Sequence, residues 1–514
     1  MKQRWKIVSA AAAVLVAVGA SQVIAQQGPP PGPPGALGPL GVPQAAAFGM
    51  GDAPDNYTKH CASCHGADMT GGRGPSLVNA ALLAERSDAE LAKTIMEGLP
   101  NGGMPAFKGT LNDGEVGRLL AYIRIQGGRS AKAAPPTKDP TDLVLKTKKQ
   151  TVKIDVVASG IDTPWGEAFL PDGRLLVTER PGKIRIVDVK KKGVPATVTG
   201  TPKPWVRQDG GFFDIAVATA AGKTWVYLSY AEVLPGYDKP LPAPGPLVQG
   251  GPVLPPAMTR VVRGQINAKN EWVNQQDIFR GPPEMYTPSV IHYGSRFLND
   301  GKGHMFYTLG DRGDMTHSQK LDSPLGKIHR VNLDGSVPAD NPFVGKPGVN
   351  PKIYSYGHRS MQAAAINPAT GKLWTAEYGA KGGDELNHPE AGKDYGWPTI
   401  TYGTEYSGAV VGEGITQKAG MEQPLYYWDP TVGPSGMAFY TANLFPAWKG
   451  SVFIGAHRPS FLTRLSLQGD KVVGEERLLE GFGAQVRDVR VGPDGALYLL
   501  DDKGGRVLRL APKA

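Results

Sequence analysis

The stretch Pro493-Asp494-Gly495-Ala496-Leu497-Tyr498-Leu499-Leu500, close to the C-terminus, combines a tight turn with an apolar strand. Glycine tolerates the backbone angles of tight turns, and the apolar run after it is typical of a buried strand. The same unit occurs three more times upstream, in residues 171–178, 299–308 and 369–374. Its spacing is too irregular for a short solenoid but fits a radial array of blades. We therefore predict an all-β fold, a β-propeller over residues 151–514, with a β-sandwich as the alternative.

The composition agrees with a folded chain of two or three units. The 514 residues are 40% hydrophobic and 20% charged, with 68 Gly and 46 Pro, which excludes a wholly disordered protein and favours short strands over a helical bundle. The formal charge is +9, and three of these charges belong to an N-terminal leader. The net positive charge that remains without the leader is small for a chain of this length, so it does not indicate a nucleic-acid partner.

The N-terminus has the pattern of an export signal. Lys2, Arg4 and Lys6 precede an apolar run from Ile7 to Val18, and small residues lead to Ala25. We predict a signal peptide over residues 1–25, cleavage after Ala25 and a periplasmic protein without a stable membrane span. An uncleaved anchor is the alternative, because the run is at the lower edge of spanning length. Residues 26–51 are uncharged and rich in Gly and Pro, which predicts a tether.

Residues 52–127 predict a small all-α domain. Ser87 with Glu90 and Asn112 with Glu115 each match a capping box, the reciprocal pattern that begins many helices. Val116 opens an apolar series at helical spacing that continues through Leu119, Leu120 and Ile123. A Pro- and Lys-rich linker, residues 128–150, follows this domain.

The string Cys61-Ala62-Ser63-Cys64-His65 predicts covalent attachment of haem c. Two thiols at this spacing can form thioethers with both vinyl groups, while the His65 imidazole reaches the iron. No other cysteine occurs in the chain. A redox dithiol and half a zinc site are the alternatives, but thioredoxin-like sites lack the histidine and zinc needs more ligands.

The segment resembles the small c-type cytochromes, in which a methionine in a loop before the last helix is usually the sixth ligand. Met104 matches that position, whereas Met69 is too close to His65 and Met96 lies in a predicted helix. His/Met ligation suits an electron carrier. Residues 71–74, Gly-Gly-Arg-Gly, lack the strand and the Lys-Ser/Thr of a phosphate loop, so we predict that they border the haem.

Glycine-rich polar strings are concentrated in one part of the predicted propeller. Glycines that alternate with charged residues predict loops that present side chains and carbonyls to a ligand or cation. Metalloprotease, α/β-hydrolase and P-loop motifs do not occur. The strings are His292-Tyr293-Gly294-Ser295-Arg296, Gly310-Asp311-Arg312, Tyr356-Gly357-His358-Arg359, Glu377-Tyr378-Gly379-Ala380-Lys381-Gly382-Gly383-Asp384-Glu385-Leu386-Asn387 and Asp394-Tyr395-Gly396-Trp397-Pro398.

On these strings, and on Pro164-Trp165-Gly166, the chain from about Gly160 to Leu510 resembles the soluble quinoprotein glucose/sorbosone (aldose sugar) dehydrogenases. The resemblance implies a six-bladed β-propeller that binds pyrroloquinoline quinone (PQQ) and Ca²⁺. It also implies that His292 is the general base, a role that suits a neutral imidazole. Arg359 would stabilise the negative charge that develops on the quinone.

The resemblance implies further ligands as well. Ser360 follows Arg359 where the family commonly has Asn. The implied PQQ contacts are Asp209, Ser360, Ser435, Arg458 and Arg487, although surface arginines are the alternative for the last two. Backbone carbonyls of Gly379 and Ala380 would bind the Ca²⁺ at the quinone, and Glu385 with the Tyr395 carbonyl would bind a second Ca²⁺.

Three further positions depart from the family pattern. Gln208 is displaced by one residue, so that Asp209 takes its place before Gly210-Gly211. Ile291 precedes the catalytic histidine where some glucose-oxidising members have an acid, and Gln485 stands where an arginine is expected. The quinone side therefore agrees with the family, while the sugar side differs and glucose is in doubt.

We expect a sugar dehydrogenase that passes electrons from PQQ to a tethered haem and then to an external acceptor. A fused haem would act at high effective concentration. One alternative is a Ca²⁺-dependent propeller hydrolase or lactonase. Another is a binding or sensor propeller attached to an electron carrier.

Overall fold

The computed structural model describes residues 52–78, 86–130, 143–191, 193–242, 253–405, 409–457, 460–480, 482 and 484–513. The predicted leader and tether and Arg458 lie outside the described residues. Within these ranges, four helices precede six antiparallel sheets. The helices are α1 (Ala53–His60), α2 (Ala62–His65), α3 (Asp88–Glu97) and α4 (Asp113–Ser130). None of these helices is long and apolar enough to cross a membrane.

The helical segment is organised by the caps that the sequence predicts. The Ser87 hydroxyl accepts from the Glu90 amide at 3.3 Å, and the Glu90 carboxylate accepts from the Ser87 amide at 2.9 Å. The reciprocal pair at α4 joins Asn112 and Glu115 at 3.0 and 2.8 Å. Apolar side chains of α1, α3 and α4 form one core, which includes Tyr57, Ile95, Phe107, Leu119 and Ile123.

Five of the sheets are four-stranded blades built from consecutive strands. Blade 1 contains β3 (Pro164–Phe169), β4 (Leu175–Glu179), β5 (Lys183–Val187) and β6 (Ala196–Val198). Blade 2 contains β7 (Phe212–Ala220), β8 (Lys223–Val233), β9 (Ala257–Ile266) and β10 (Trp272–Phe279). Blade 3 contains β11 (Gly294–Asn299), β12 (His304–Leu309), β13 (Lys327–Asn332) and β14 (Ile353–Tyr356). Blade 4 contains β15 (Met361–Ile366), β16 (Leu373–Glu377), β17 (Asp384–Asn387) and β18 (Tyr426–Trp428). Blade 5 contains β19 (Pro434–Phe439), β20 (Val452–His457), β21 (Ser460–Gln468) and β22 (Lys471–Leu478).

Blade 6 closes the ring by joining both ends of the propeller segment. Its strands are β23 (Val486–Val491), β24 (Leu497–Asp501), β25 (Arg506–Pro512), β2 (Thr151–Ser159) and β1 (Leu143–Lys146), in that order across the sheet. The first strand of each blade contacts the first strands of both neighbours, so these six strands surround the axis. The prediction of a six-bladed β-propeller is therefore confirmed. Each of the four turn-and-strand units lies between the first two strands of a blade.

The linker is shorter than predicted. α4 continues to Ser130, and β1 begins at Leu143 within the stretch predicted as linker. β1 forms a hairpin with β2, where Leu143 pairs with Ile154. Leu145 packs against the core that blades 5 and 6 share, so burial of its side chain extends the sheet backwards from Thr151.

Every innermost strand has an irregular register near its first residues. In β11 the shift lies between Gly294 and Phe297, and the first strands of the other five blades have the same feature. Bulges of this kind bend a strand and redirect its side chains. They shape the end of the propeller at which the predicted site residues lie.

Arg296 connects the blades near the axis. Its guanidinium donates to the carbonyls of Gln362 at 2.6 Å and Arg487 at 2.9 Å. It also pairs with Asp214 at 3.3 Å and Asp488 at 3.2 Å, all three side chains being fully buried. Four blades therefore meet at one side chain, and loss of a partner from such a buried pair costs about 3–5 kcal/mol.

Candidate active site

His292 lies in the loop before β11, with Nδ1 held by a buried carboxylate. Its φ of 54° is rare for a residue with a side chain and marks a local conformation held by its surroundings. Nδ1 donates to Oδ1 of Asp311 at 2.6 Å. The same oxygen accepts from the Gly313 amide at 2.8 Å, and Oδ2 accepts from Nε1 of Trp397 at 2.9 Å. Asp311 is thus fixed on three sides and fixes the imidazole in turn.

The charges around this pair keep the imidazole neutral. Burial is the largest cause that lowers the pKa of His292 to about 3; the guanidinium groups of Arg359 and Arg73 also lower this pKa, whereas Asp311 raises it. The pKa of Asp311 is lowered, because His292 and Arg359 outweigh the effect of its burial. With the ring proton on Nδ1, Nε2 carries the lone pair that can accept a proton.

Arg359 is placed beside this pair by its own backbone. Its carbonyl accepts from the Asp311 amide at 2.9 Å, and its amide donates to Glu377 at 2.7 Å. The guanidinium lies over the Trp397 ring at 5.2 Å and donates to the Tyr378 carbonyl at 3.3 Å. Its Nε is buried without a hydrogen-bond partner among the described residues. A buried guanidinium with an unused donor fits an anionic ligand.

A cavity of about 650 Å³ lies between the propeller and the helical segment. Among the predicted site residues, Asp209, Gly379, Ala380 and Arg487 line it. Gln485, one of the departures from the family pattern, lines it too. Trp165, Tyr293, Gln362, Tyr378 and Asp384 also line it on the propeller side, and Ser63 with residues 70–76 lines it on the helical side.

Two further arginines make the cavity suitable for a polycarboxylate. Arg487 lies 3.5 Å from Asp502 and 5.4 Å from the Trp165 ring. Arg180 donates to the Gln208 carbonyl at 3.0 Å, and its Nε is buried without a partner in the part of the chain that the structure describes. Burial and the nearby Arg487 lower the pKa of Arg180. Guanidinium groups beside an indole ring fit the carboxylates and the planar rings of PQQ.

Two predicted quinone contacts, Ser435 and Ser360, are buried and hydrogen-bonded within the propeller. The Ser435 hydroxyl is buried and donates to the Val486 carbonyl, and Ser435 is not among the lining residues of the cavity. Ser360 is buried and accepts from the Gln362 amide group at 3.3 Å. A role of Ser360 or Ser435 in binding PQQ stays a prediction.

The loop predicted to bind calcium is tightly folded on itself. The Gly379 amide donates to Asp384 at 2.9 Å, and a Cβ at Gly379 would lie 2.1 Å from the Gly382 carbonyl oxygen. This close backbone approach requires glycine. Burial raises the pKa of Asp384 to about 6 despite three backbone amides that donate to it.

Glu385 faces Glu377 across neighbouring strands. The two residues pair in the sheet, and the Asn387 amide donates to Glu377 at 3.1 Å and to Glu385 at 3.2 Å. Burial, together with Glu377, raises the pKa of Glu385 to about 8. The Tyr395 hydroxyl donates to the His388 carbonyl at 2.5 Å. No group of three or more His, Cys, Asp or Glu side chains is arranged to hold a metal in the described ranges, so both calcium sites stay predictions.

The haem-binding string lies at the junction of α1 and α2. Nδ1 of His65 donates to the Pro75 carbonyl at 2.8 Å, which makes Nε2 the nitrogen suited to iron. Gly74 packs on this ring, because a Cβ there would lie 2.5 Å from His65. Met104 lies in the loop before α4 and its carbonyl accepts from Leu99 at 2.7 Å. The hydrogen bond of His65 fits an iron ligand, and Met104 as the second ligand stays a prediction.

The rival methionines occupy the core of the helical segment. Met69 is 2% exposed, and Met96 packs against the same apolar cluster. Cys61 and Cys64 form no disulfide. Met104 packs against the same cluster as Met96, so the choice of Met104 over Met69 and Met96 stays a prediction.

The haem-binding segment contacts the propeller directly around His292. A guanidinium nitrogen of Arg73 lies 2.7 Å from Nε2 of His292, and the Arg73 carbonyl accepts from the Gln208 amide group. The Val290 amide donates to the Asn101 carbonyl at 3.1 Å. Nζ of Lys381 donates to the Lys59 carbonyl at 2.5 Å.

Sequence reasoning missed four side chains that the structure brings to the site. Asp311 and Trp397 are in the quoted strings, but only the fold shows that both contact the catalytic pair. Arg180 carries no motif, although it directly follows β4. Arg73 was predicted only to border the haem, since nothing in the sequence connects it with a histidine 219 positions away.

Comparisons with known proteins agree with this geometry. A family model for glucose/sorbosone dehydrogenase matches residues 161–509, and a model for subunit III of cbb3-type cytochrome c oxidase matches residues 51–123. Aldose sugar dehydrogenase YliI of Escherichia coli K12 is 38% identical over 368 residues, which are 71% of this chain and 94% of that protein.

Solved structures give the same result. The soluble aldose sugar dehydrogenase of Escherichia coli, in its apo form, is 37% identical with a TM-score of 0.63, and the match covers 70% of this chain and 100% of that one. The PQQ-bound aldose sugar dehydrogenase of Streptomyces coelicolor is 28% identical with a TM-score of 0.55, over 74% of this chain and 100% of that one.

Proposed function

Because the chain belongs to the glucose/sorbosone dehydrogenase family, we propose that it oxidises aldose sugars in the periplasm and passes the electrons through its own haem c to an external acceptor. It is an oxidoreductase that acts on CH–OH groups, with PQQ and haem c as cofactors. One observation carries the proposal. A single cavity is lined both by propeller residues suited to PQQ and by Ser63 of the haem-binding string.

PQQ, when bound, supplies a two-electron acceptor for the hydride of the sugar. The Arg180 and Arg487 guanidinium groups would bind its carboxylates, with Trp165 beside them. The carbonyls of Gly379 and Ala380 would bind a Ca²⁺, which prefers oxygen ligands. Arg359 would stabilise negative charge, because its buried Nε has a donor to offer.

His292 moves the proton. Nε2 takes the proton of the sugar hydroxyl that is oxidised. Nδ1 keeps its own proton, which it donates in a hydrogen bond to Asp311. The imidazolium formed in this way is stabilised by the Asp311 carboxylate. Since burial and two arginines hold the pKa of His292 to about 3, the imidazolium then readily returns its proton to water.

Anaerobic stopped-flow tests the proposal. The purified chain, loaded with haem, PQQ and Ca²⁺, is mixed with D-glucose, D-galactose, D-xylose or L-arabinose while the quinone and haem bands are followed. We expect reduced haem only when PQQ and a sugar are both present. Failure of PQQ to bind, or hydrolysis of a lactone without any acceptor, would contradict the proposal and favour the hydrolase.

Cell fractionation of a host that expresses the full chain tests the location. We expect the protein in the periplasm with an N-terminus at Gln26, and the unprocessed chain in the membrane fraction would contradict cleavage after Ala25.

A further inference from the structure

Arg73 occupies the one atom of His292 that the reaction needs. A neutral imidazole has a single lone pair, and Asp311 places it on Nε2 by accepting from Nδ1. The guanidinium of Arg73 has only donors, so its contact of 2.7 Å is a donation to that lone pair. A sugar hydroxyl must donate to the same lone pair before its proton can be transferred. The two donors therefore exclude each other.

Arg73 also separates His292 from the cavity. His292 is 5% exposed and is not among the residues that line the cavity, although the next two residues, Tyr293 and Gly294, are. Arg73 itself is a lining residue, and Gln208 holds its carbonyl. In this arrangement a ligand in the cavity reaches the base only if Arg73 moves.

The contact that places Arg73 is suited to release. Hydrogen bonds between described residues support it, from Gln208 to Arg73, from Val290 to Asn101 and from Lys381 to Lys59. Across the described residues, no salt bridge joins the helical segment to the propeller. An interface of hydrogen bonds and the apolar contact between Ile291 and Gly103, without an ion pair among the described residues, opens at modest cost.

We propose that Arg73 is a gate on the general base, so that binding of the sugar to His292 and docking of the haem-binding segment through Arg73 are mutually exclusive. The inference rests on the proposed function. Sugar oxidation then belongs to a released arrangement, and electron transfer to haem belongs to the docked one, in which Ser63 of the haem-binding string lines the cavity. The cation of Arg73 leaves the site when the imidazolium must form and returns when electrons move.

Arg73→Ala in the full, loaded protein tests the gate. We expect the second-order rate of quinone reduction by sugar to rise roughly tenfold, because a competing hydrogen bond worth about 1.4 kcal/mol is lost. Electron transfer from quinone to haem should become slower in the same variant. Arg73→Lys keeps a cation, so its rates of quinone reduction and of electron transfer to haem should lie between those of wild type and Arg73→Ala. Arg118→Ala removes a guanidinium that pairs with Asp52 in the same segment and should behave as wild type.

Hydrogen exchange supplies a readout that does not depend on turnover. Backbone amides of residues 70–74, of Ser76 and of Val290 should exchange faster when the best sugar of the panel is added, and in Arg73→Ala they should exchange fast without it. Equal or slower quinone reduction in Arg73→Ala, with exchange that sugar does not change, would overturn the gate and leave the dehydrogenase standing. Absence of sugar-driven reduction in every variant would defeat the proposed function, and the gate with it. The haem spectrum and melting temperature establish that each variant is folded.

Discussion

Asp311→Asn tests how the base is held, because the carboxylate has more donors around it than an amide can serve. Oδ1 accepts from Nδ1 of His292 at 2.6 Å and from the Gly313 amide at 2.8 Å, while Oδ2 accepts from Trp397 at 2.9 Å. An asparagine has one acceptor oxygen. If that oxygen faces His292, its NH₂ group meets the indole N–H of Trp397. If it faces Trp397, its NH₂ group meets His292.

Both orientations lower turnover, by different amounts. The first keeps the proton on Nδ1 but removes the charge that stabilises the imidazolium. A hydrogen bond to a charged group is worth about 1.5–3 kcal/mol, so kcat should fall roughly 10- to 150-fold. The second forces the proton onto Nε2 and abolishes the base, which in a Ser-His-Asp triad costs about 10⁴-fold. The smaller loss is the minimum that the geometry allows.

The assay is quinone reduction by sugar in single turnover, with PQQ binding measured separately by its absorption. Trp397→Phe in the same background removes the indole donor and retains a ring beneath Arg359. The double variant Asp311→Asn/Trp397→Phe should show the smaller loss of kcat. With the indole N–H removed, the oxygen of the introduced asparagine can face His292 without bringing the NH₂ group against another donor. A kcat for Asp311→Asn within about twofold of wild type, with PQQ bound, would refute the reasoning.

Three other outcomes follow from the same contacts. His292→Ala should lower kcat by about 10²- to 10⁴-fold in single-turnover kinetics while PQQ still binds, and loss of PQQ binding would instead indicate a structural histidine. Burial lowers the pKa of His292 to about 3, so protonation of His292 should lower kcat/KM only below about pH 4. A fall of kcat/KM near the ordinary pKa of 6.5 would contradict a base that Arg359 and Arg73 keep neutral. Gly74→Ala should destabilise the helical segment by about 1–3 kcal/mol, because the new Cβ would lie 2.5 Å from the His65 ring. Thermal unfolding followed at the haem band should show a lower melting temperature, and an unchanged melting temperature would show that this ring can shift.

The sequence predicts the class of the fold better than the number of blades. Blades 1, 3, 4 and 6 have a Gly-containing turn before a strand of alternating or apolar character, and these turns are visible as local patterns. Blade 2 makes the same connection with Ala221-Gly222, and blade 5 uses residues 440–451. Neither is among the four turn-and-strand units found in the sequence, so the count of six came from the family resemblance. Closure by β1 and β2 depends on pairing across more than 300 residues, which local patterns do not encode.

The site divides in a similar way between local and long-range determinants. The predicted haem ligand His65 and the predicted base His292 are carried by short strings, in which residue type and spacing already indicate the chemistry. The environment that makes His292 neutral comes from burial and from Arg359 and Arg73, which lie on two other segments. Burial and contacts of this kind are properties of the fold, so sequence reasoning predicted the base but not its pKa.

The contact between the two segments gives Ile291 a physical role. This residue stands where some glucose-oxidising members of the family have an acid, and a change to an apolar side chain at a sugar site removes hydrogen bonds. Here Ile291 is 4% exposed, and a Cβ at Gly103, next to Met104, would lie only 2.8 Å from its Cδ1. A carboxylate in that position would lose this apolar contact and would be removed from water, and its cost would depend on pairing with Arg73, whose guanidinium would lie 3.3 Å from the same Cβ. The apolar side chain of Ile291 thus packs against the haem-binding segment, and this contact gives a physical reason for an apolar residue at position 291.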